Sequence, residues 1–110
     1  MPWLLREGEV LAALEVADAR SSRRRGLLGR DSFEGALLLR PARSVHTVGM
    51  RFAIDVAYCD GDLRVLETVC MAPWRVGKPR LKARSVIEAE AGAFDRWGLH
   101  AGDALEMKGG

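Results

Sequence analysis

Apolar and polar positions alternate at period two through most of the chain, a pattern that predicts strands more often than helices. Val10, Ala12, Leu14 and Val16 share one face of a long run, with Leu11, Ala13, Glu15 and Ala17 on a less apolar reverse face. A strand over 10–17 follows, preceded by a shorter one over 3–6 and a turn at Glu7-Gly8. Residues 36–39 predict a short buried strand ended by Pro41, and 44–47 a second extended piece before a break or bulge at Gly49. Residues 52–59 and 63–70 read as a hairpin around Asp60-Gly61, a favoured two-residue turn. Pairing 59 with 62 sets Ile54 opposite Glu67, Val56 opposite Val65 and Tyr58 opposite Leu63. One face then carries Phe52, Ile54, Val56, Tyr58, Leu63, Val65 and Val69, with Glu67 as its polar member. Arg51, Asp55, Arg64 and Thr68 fall on the other, as does Cys59. Residues 85–91 alternate again. A helical turn over 92–97, a tight connection over 98–103 and a last strand over 104–107 complete the chain.

The best helix lies over 18–29, with Asp18 or Ser21 as N-cap and Gly29 just past the end. Gly26 inside it points to the close approach of another backbone. Many short strands with one helix near the N-terminus predict a mainly β (α+β) fold. It is a small, partly closed antiparallel barrel, formed as a single domain over residues 1–110.

Composition narrows the class without naming a chemistry. The 110 residues are 48% hydrophobic and 29% charged, as in a globular chain, and a formal net charge of +2 does not impose a nucleic-acid partner. Cys59 and Cys70 fall far apart in the hairpin, so no disulfide is expected. No Cys/His ligand spacing is present, so neither metal nor cofactor is expected. No apolar run approaches the roughly 20 residues of a membrane helix. The N-terminus lacks the pattern of a signal peptide. A cytoplasmic bacterial protein is the expectation, unless a leader has been removed.

Five stretches in order carry a family likeness: Arg24-Arg25-Gly26-Leu27-Leu28-Gly29-Arg30, the run from His46 through Val56, Pro73-Trp74-Arg75, Glu88-Ala89-Glu90-Ala91-Gly92, and Gly98-Leu99-His100-Ala101-Gly102-Asp103. Together they resemble the DUF192 family of small prokaryotic proteins over nearly the whole chain. The resemblance implies a compact β-rich domain with a helix near the N-terminus. It brings no established activity, so no catalytic residue is carried over. Many family members have a tryptophan-methionine-lysine-asparagine-threonine segment where His46-Thr47-Val48-Gly49-Met50 stands here, as in another branch, and a proline where Ala53 stands. If that tryptophan and asparagine touch a ligand, this chain binds something else. The family's strand aspartate matches Asp55, and its late glycine-aspartate pair matches Gly102-Asp103.

Two groups of residues are candidates for function. His46, Thr47, Met50, Arg51, Asp55, Trp74 and Arg75 would meet if the loop after Cys70 folds back over the start of the hairpin. Histidine titrates near neutrality and can hold an anion or act as a base. A strand carboxylate must be paired or solvated, so Asp55 could equally be tied to Arg64, Arg51 or a backbone amide. Arg20, Arg23, Arg24, Arg25 and Arg30 form a basic patch on and after the helix, which could serve a phosphate, RNA or an acidic partner, or merely solvate a helix face. The leading expectation is a non-enzymatic accessory domain. Its ligand would be a small polar or anionic molecule, or an acidic protein segment. A hydrolase or lyase using His46 and Asp55 is the alternative. Nucleic-acid binding through the basic patch is a third, disfavoured because no aromatics are interleaved for stacking. Oligomeric state stays open.

Overall fold

The computed structural model describes residues 2–109. Its strands are Pro2–Arg6 (β1), Glu9–Ala17 (β2), Ala36–Leu39 (β3), Ile54–Cys59 (β4), Val65–Met71 (β5), Ser85–Glu90 (β6) and Leu105–Gly109 (β7). Two short helices, Arg20–Arg25 (α1) and Ala93–Trp97 (α2), complete the elements. The fold is mainly β, one sheet in the order β5-β4-β6-β3-β2-β1-β7. Every neighbouring pair is antiparallel except β2 and β3, which run parallel across the α1 crossover. The uniformly antiparallel pairing expected from sequence fails there because a crossover, not a hairpin, joins these strands.

The nine-residue β2 serves two neighbours. Its first half pairs with β1 up to Ala13, and Leu14 to Ala17 pair with β3. The chain returns to β3 through Gly35, where a Cβ would sit 2.7 Å from the Ala13 carbonyl oxygen and φ is +94°. The bend curls the sheet until its outer strands touch at one end. The Val65 amide donates to Asp103 O at 2.8 Å, Gly102 N–H to Val65 O at 2.8 Å and Leu105 N–H to Leu63 O at 3.0 Å. Beyond these contacts the sheet stays open.

The β4-β5 hairpin is longer-looped than a two-residue turn allows. Ile54 faces Met71, Val56 faces Val69 and Tyr58 faces Glu67, with a bulge at Tyr58/Cys59. This is four residues from the register expected. Asp60 causes the difference: its carboxylate accepts the amides of Arg64 and Asp62 at 3.0 and 2.9 Å, and these bonds hold its pKa below the usual value. A shift of four preserves faces, so Ile54, Val56 and Tyr58 still share a side with Glu67 and Val69. Glu67 there takes a fork from Arg80 (2.9 and 3.0 Å), whose guanidinium lies 4.3 Å over the Tyr58 ring.

Both faces of the central strands are buried. One core gathers Leu14, Ala36, Leu38, Ala57, Cys59, Val65, Ile87 and Ala89 beneath Phe94 of α2. The other gathers Leu27, Leu37, Leu39, Val45, Met50, Ile54, Val56, Tyr58 and Val86. The face read as polar from sequence is therefore interior. Cys59 is fully buried, and desolvation pushes its thiol up to about 12, so a reactive thiolate there is ruled out. Cys70 is exposed and Cys59 buried, both free.

α1 spans only part of the helix expected over 18–29. Ala19 is its N-cap, with no side-chain cap bond, and Gly26 ends it at φ +49°. Three arginines in its last turn face the carbonyl end, where cations are favoured. A short second helix, α2, is fastened by Asp55. One carboxylate oxygen accepts Gly92 N–H at 2.9 Å and Phe94 N–H at 3.1 Å. The backbone-amide alternative for Asp55 is the one realised; neither Arg64 nor Arg51 pairs with it.

Asp55→Ala leaves two amides in the protein interior without their acceptor. We expect a loss of about 1–3 kcal/mol in urea unfolding, and a smaller loss for Asp55→Asn, whose carbonyl oxygen can still accept.

Candidate functional site

A concavity of about 360 Å³ lies between α1 with its following turn and the segment from Pro41 to Met50. That size falls within the roughly 300–1,000 Å³ of small-molecule sites. Arg20, Arg23, Arg24, Arg25 and Arg43 line it, with Ser44 and His46. Leu27, Leu39, Val45 and Met50 supply apolar wall, and Glu88 also lines the pocket. None of these five arginines has a carboxylate within 4 Å among the described residues. The arginines that do are elsewhere: Arg6 with Asp103, Arg30 with Glu15, Arg51 with Asp31 and Arg80 with Glu67. Arg23 and Arg43 are instead aimed by backbone carbonyls, Asp18 O at 2.6 Å and Ala83 O at 3.2 Å.

The pocket divides the residues singled out from sequence. His46 and Met50 line it. Thr47 is fully buried beside them as a fastener. Its hydroxyl donates to Ala72 O at 2.6 Å and accepts Arg75 N–H at 2.8 Å, while its own carbonyl takes Trp74 N–H at 2.8 Å. His46 pairs with Val76 in an isolated bridge, so the loop does fold back onto this segment. Trp74 is held at φ +65° and is 66% exposed, and the Arg75 guanidinium donates to local carbonyls, those of Pro73 and Trp74. Arg51 is drawn away by Asp31 at 2.7 Å. Asp55 points to the opposite face of the sheet, into the core under α2, so the His46–Asp55 couple does not form. Of the basic patch, Arg30 leaves the group: it pairs with Glu15 and lies 5.0 Å over the Phe33 ring.

Glu88 is the site residue that sequence reasoning passed over. It sits mid-β6, between Leu37 of β3 and Val56 of β4, and is 5% exposed. Its side chain makes no hydrogen bond among the described residues. Desolvation raises its pKa from 4.5 to about 7. The close approach expected at Gly26 is made by this side chain and not by a backbone: a Cβ on Gly26 would lie 3.2 Å from Glu88 Oε1. The available signal was an acid placed centrally in an otherwise apolar strand, Val86-Ile87-Glu88-Ala89. Among the described residues no group of three or more His, Cys, Asp or Glu could hold a metal ion, and no helix is long and apolar enough to cross a membrane.

A curled, mainly β domain with an arginine-lined pocket beside α1 is the class this structure defines. The chain belongs to the DUF192 family (Uncharacterized ACR, COG1430), whose model matches residues 4–107. It is similar to the UPF0127 protein PH1112 of Pyrococcus horikoshii, 29% identical over 105 residues that cover 91% of this chain and 88% of that one. Two solved structures share the fold at a TM-score of 0.80. One is a protein of unknown function from Novosphingobium aromaticivorans, 18% identical, with 96% of this chain and 82% of that one covered. The other, from Sinorhizobium meliloti and described as a candidate transcription regulator, is 20% identical, with 96% and 91% covered. At these identities the solved structures speak for the fold alone.

Two outcomes follow from the geometry. Thr47→Val removes the hydroxyl bonds that hold the 72–75 loop, and we expect about 1–3 kcal/mol less stability, with faster hydrogen exchange in that loop. Glu88 binds its proton more tightly folded than unfolded. Its contribution is therefore most favourable below pH 4.5 and is lost as pH rises towards 7, by up to about 3 kcal/mol. Glu88→Gln should flatten that slope in denaturation curves taken from pH 5 to pH 8 and be the more stable protein at pH 8.

Proposed function

We propose that this domain is a non-enzymatic binding module whose pocket takes a small anionic ligand. The observation that carries the reading is the convergence of Arg20, Arg23, Arg24, Arg25 and Arg43 on one concavity, with no carboxylate within 4 Å of any of them among the described residues. Cationic side chains facing one another raise the local potential, and an anion relieves it with charge-assisted bonds. His46 adds a donor on the rim. Leu27, Val45 and Met50 offer a wall for an apolar portion of the ligand. An acidic protein segment is the larger version of the same chemistry, entering past the exposed Val48. A hydrolase or lyase built on His46 and Asp55 loses its support, because Asp55 is committed to α2. Nucleic-acid binding has less support than a small anion, since the arginines surround a pocket and do not form an extended track with aromatic stacking platforms.

The test is thermal unfolding with a panel of small anions, nucleotides, sugars and short oligonucleotides. Wild type is compared with His46→Ala and with the double variant Arg24→Ala/Arg25→Ala. A true ligand at a hundred times its Kd adds about 2.7 kcal/mol, a shift of several degrees or more. We expect anions to produce it, the double variant to lose it and His46→Ala to weaken it. Equal shifts in wild type and the double variant would overturn the reading.

A further inference from the structure

The proposed anion site leaves one group without a role. Glu88 lies at mid-strand in the sheet, boxed by Leu37 and Leu39 on β3 and by Val56 and Tyr58 on β4. It is 5% exposed and has no hydrogen-bond partner among the described residues. Gly26 is what leaves its carboxyl uncovered. A side chain at that position would come against Oε1, whereas a glycine leaves the oxygen as part of the pocket wall. The arginines do not satisfy it, since none comes within salt-bridge distance. Burial alone accounts for its raised pKa, without opposing attraction from a cation. A buried carboxyl is costly unless paired, and Glu88 lines the pocket, from which a partner can reach it.

We propose that the ligand is a small zwitterion, with a carboxylate or phosphate held by the arginine rim and a primary ammonium seated on Glu88. The inference rests on the anion-binding reading and adds its other end. Leu27, Leu39, Val45 and Met50 supply apolar wall to the same pocket, which suits a short aliphatic chain as the linking portion. This arrangement places each charge of the ligand against its opposite, and the ammonium draws the carboxyl into its ionised form. The charged and titratable groups that face Glu88 are Arg20, Arg23, Arg24 and Arg25 from α1, Arg43 and His46 from the segment after β3, and Tyr58 from β4. All but His46 and Tyr58 stay cationic throughout the working range, and Tyr58 stays neutral. Glu88 gains negative charge as pH rises through about 7, which strengthens the ammonium end of the amino probes and does nothing for their amine-free partners.

The experiment is titration calorimetry on the full chain with matched probes: γ-aminobutyrate against butyrate, and 2-aminoethyl phosphate against ethyl phosphate. Matching isolates the amine from the anion, and the two pairs distinguish a carboxylate from a phosphate head. At pH 8 we expect at least one amino probe to bind ten-fold or more tighter than its partner, with the advantage shrinking at pH 5.5. Glu88→Gln should abolish the advantage and keep the weaker anion binding, while Arg24→Ala/Arg25→Ala weakens both members of a pair. Equal affinities within both pairs, or an advantage that survives Glu88→Gln, would overturn the zwitterion and leave the anion site standing. Absence of binding by all four probes would overturn both. The pH dependence of the wild type supplies a readout that needs no variant to fold.

Discussion

Burial of both faces of the β4-β6 pair is the constraint on which the rest depends. β6 lies between β3 and β4, and β4 between β6 and β5, so a polar side chain on either has no solvent face to retreat to. Most find a partner within the protein, although Ser85 Oγ at the start of β6 stays buried without one. Asp55 finds the amides at the start of α2 and thereby fixes where that helix docks. Thr47, buried in the segment packed on the other face, finds the backbone of the 72–75 loop. Glu88 finds nothing among the described residues, and it is the one that opens on the pocket.

The pocket follows from the same architecture. The parallel β2-β3 pair requires a crossover, and that crossover carries α1 over the edge of the second core. A six-residue helix with arginine at four positions has little of its own to hold it. Its last turn is secured by the cations at the carbonyl end and by Leu27, which is 1% exposed in the core below. Arginines on such a support face the segment from Pro41 to Met50 across a gap. The gap persists because like charges line it and because Gly26 contributes no side chain to fill it.

Membership of DUF192 brings no established activity, and the solved structures of like fold add none, so chemistry rests on the side chains. The two buried acids of the sheet, Asp55 and Glu88, differ in this respect. Asp55, matched to a family position, has a structural role that its hydrogen bonds account for in full. Glu88 occurs within another of the motifs that carry the family likeness, yet it was legible only as one polar beat in an alternating strand. Its isolation depends on α1, β3 and β4, which are distant in sequence.

Local pattern was enough for the elements themselves. Period-two alternation located β2, β4 and β6, and short apolar runs ended by turn residues located β1 and β3, all to within a residue or two, because these are local properties of the chain. The same pattern left β5 four residues out of register, since Asp60 and the contacts of Leu63 and Val65 with the β7 edge decide the loop. It left His46 and Asp55 on one imagined site, since nine residues of sequence do not say which side of a sheet each will face. The sequence by itself determined the fold class, the short strands, the family and the basic character of the α1 region. Tertiary structure alone decided that β2 and β3 run parallel, that both faces of β4 are interior, and that five arginines and a lone carboxyl share one pocket. The physical reason is that burial and pairing are sums over distant chain segments, while alternation and turn chemistry are read from neighbours.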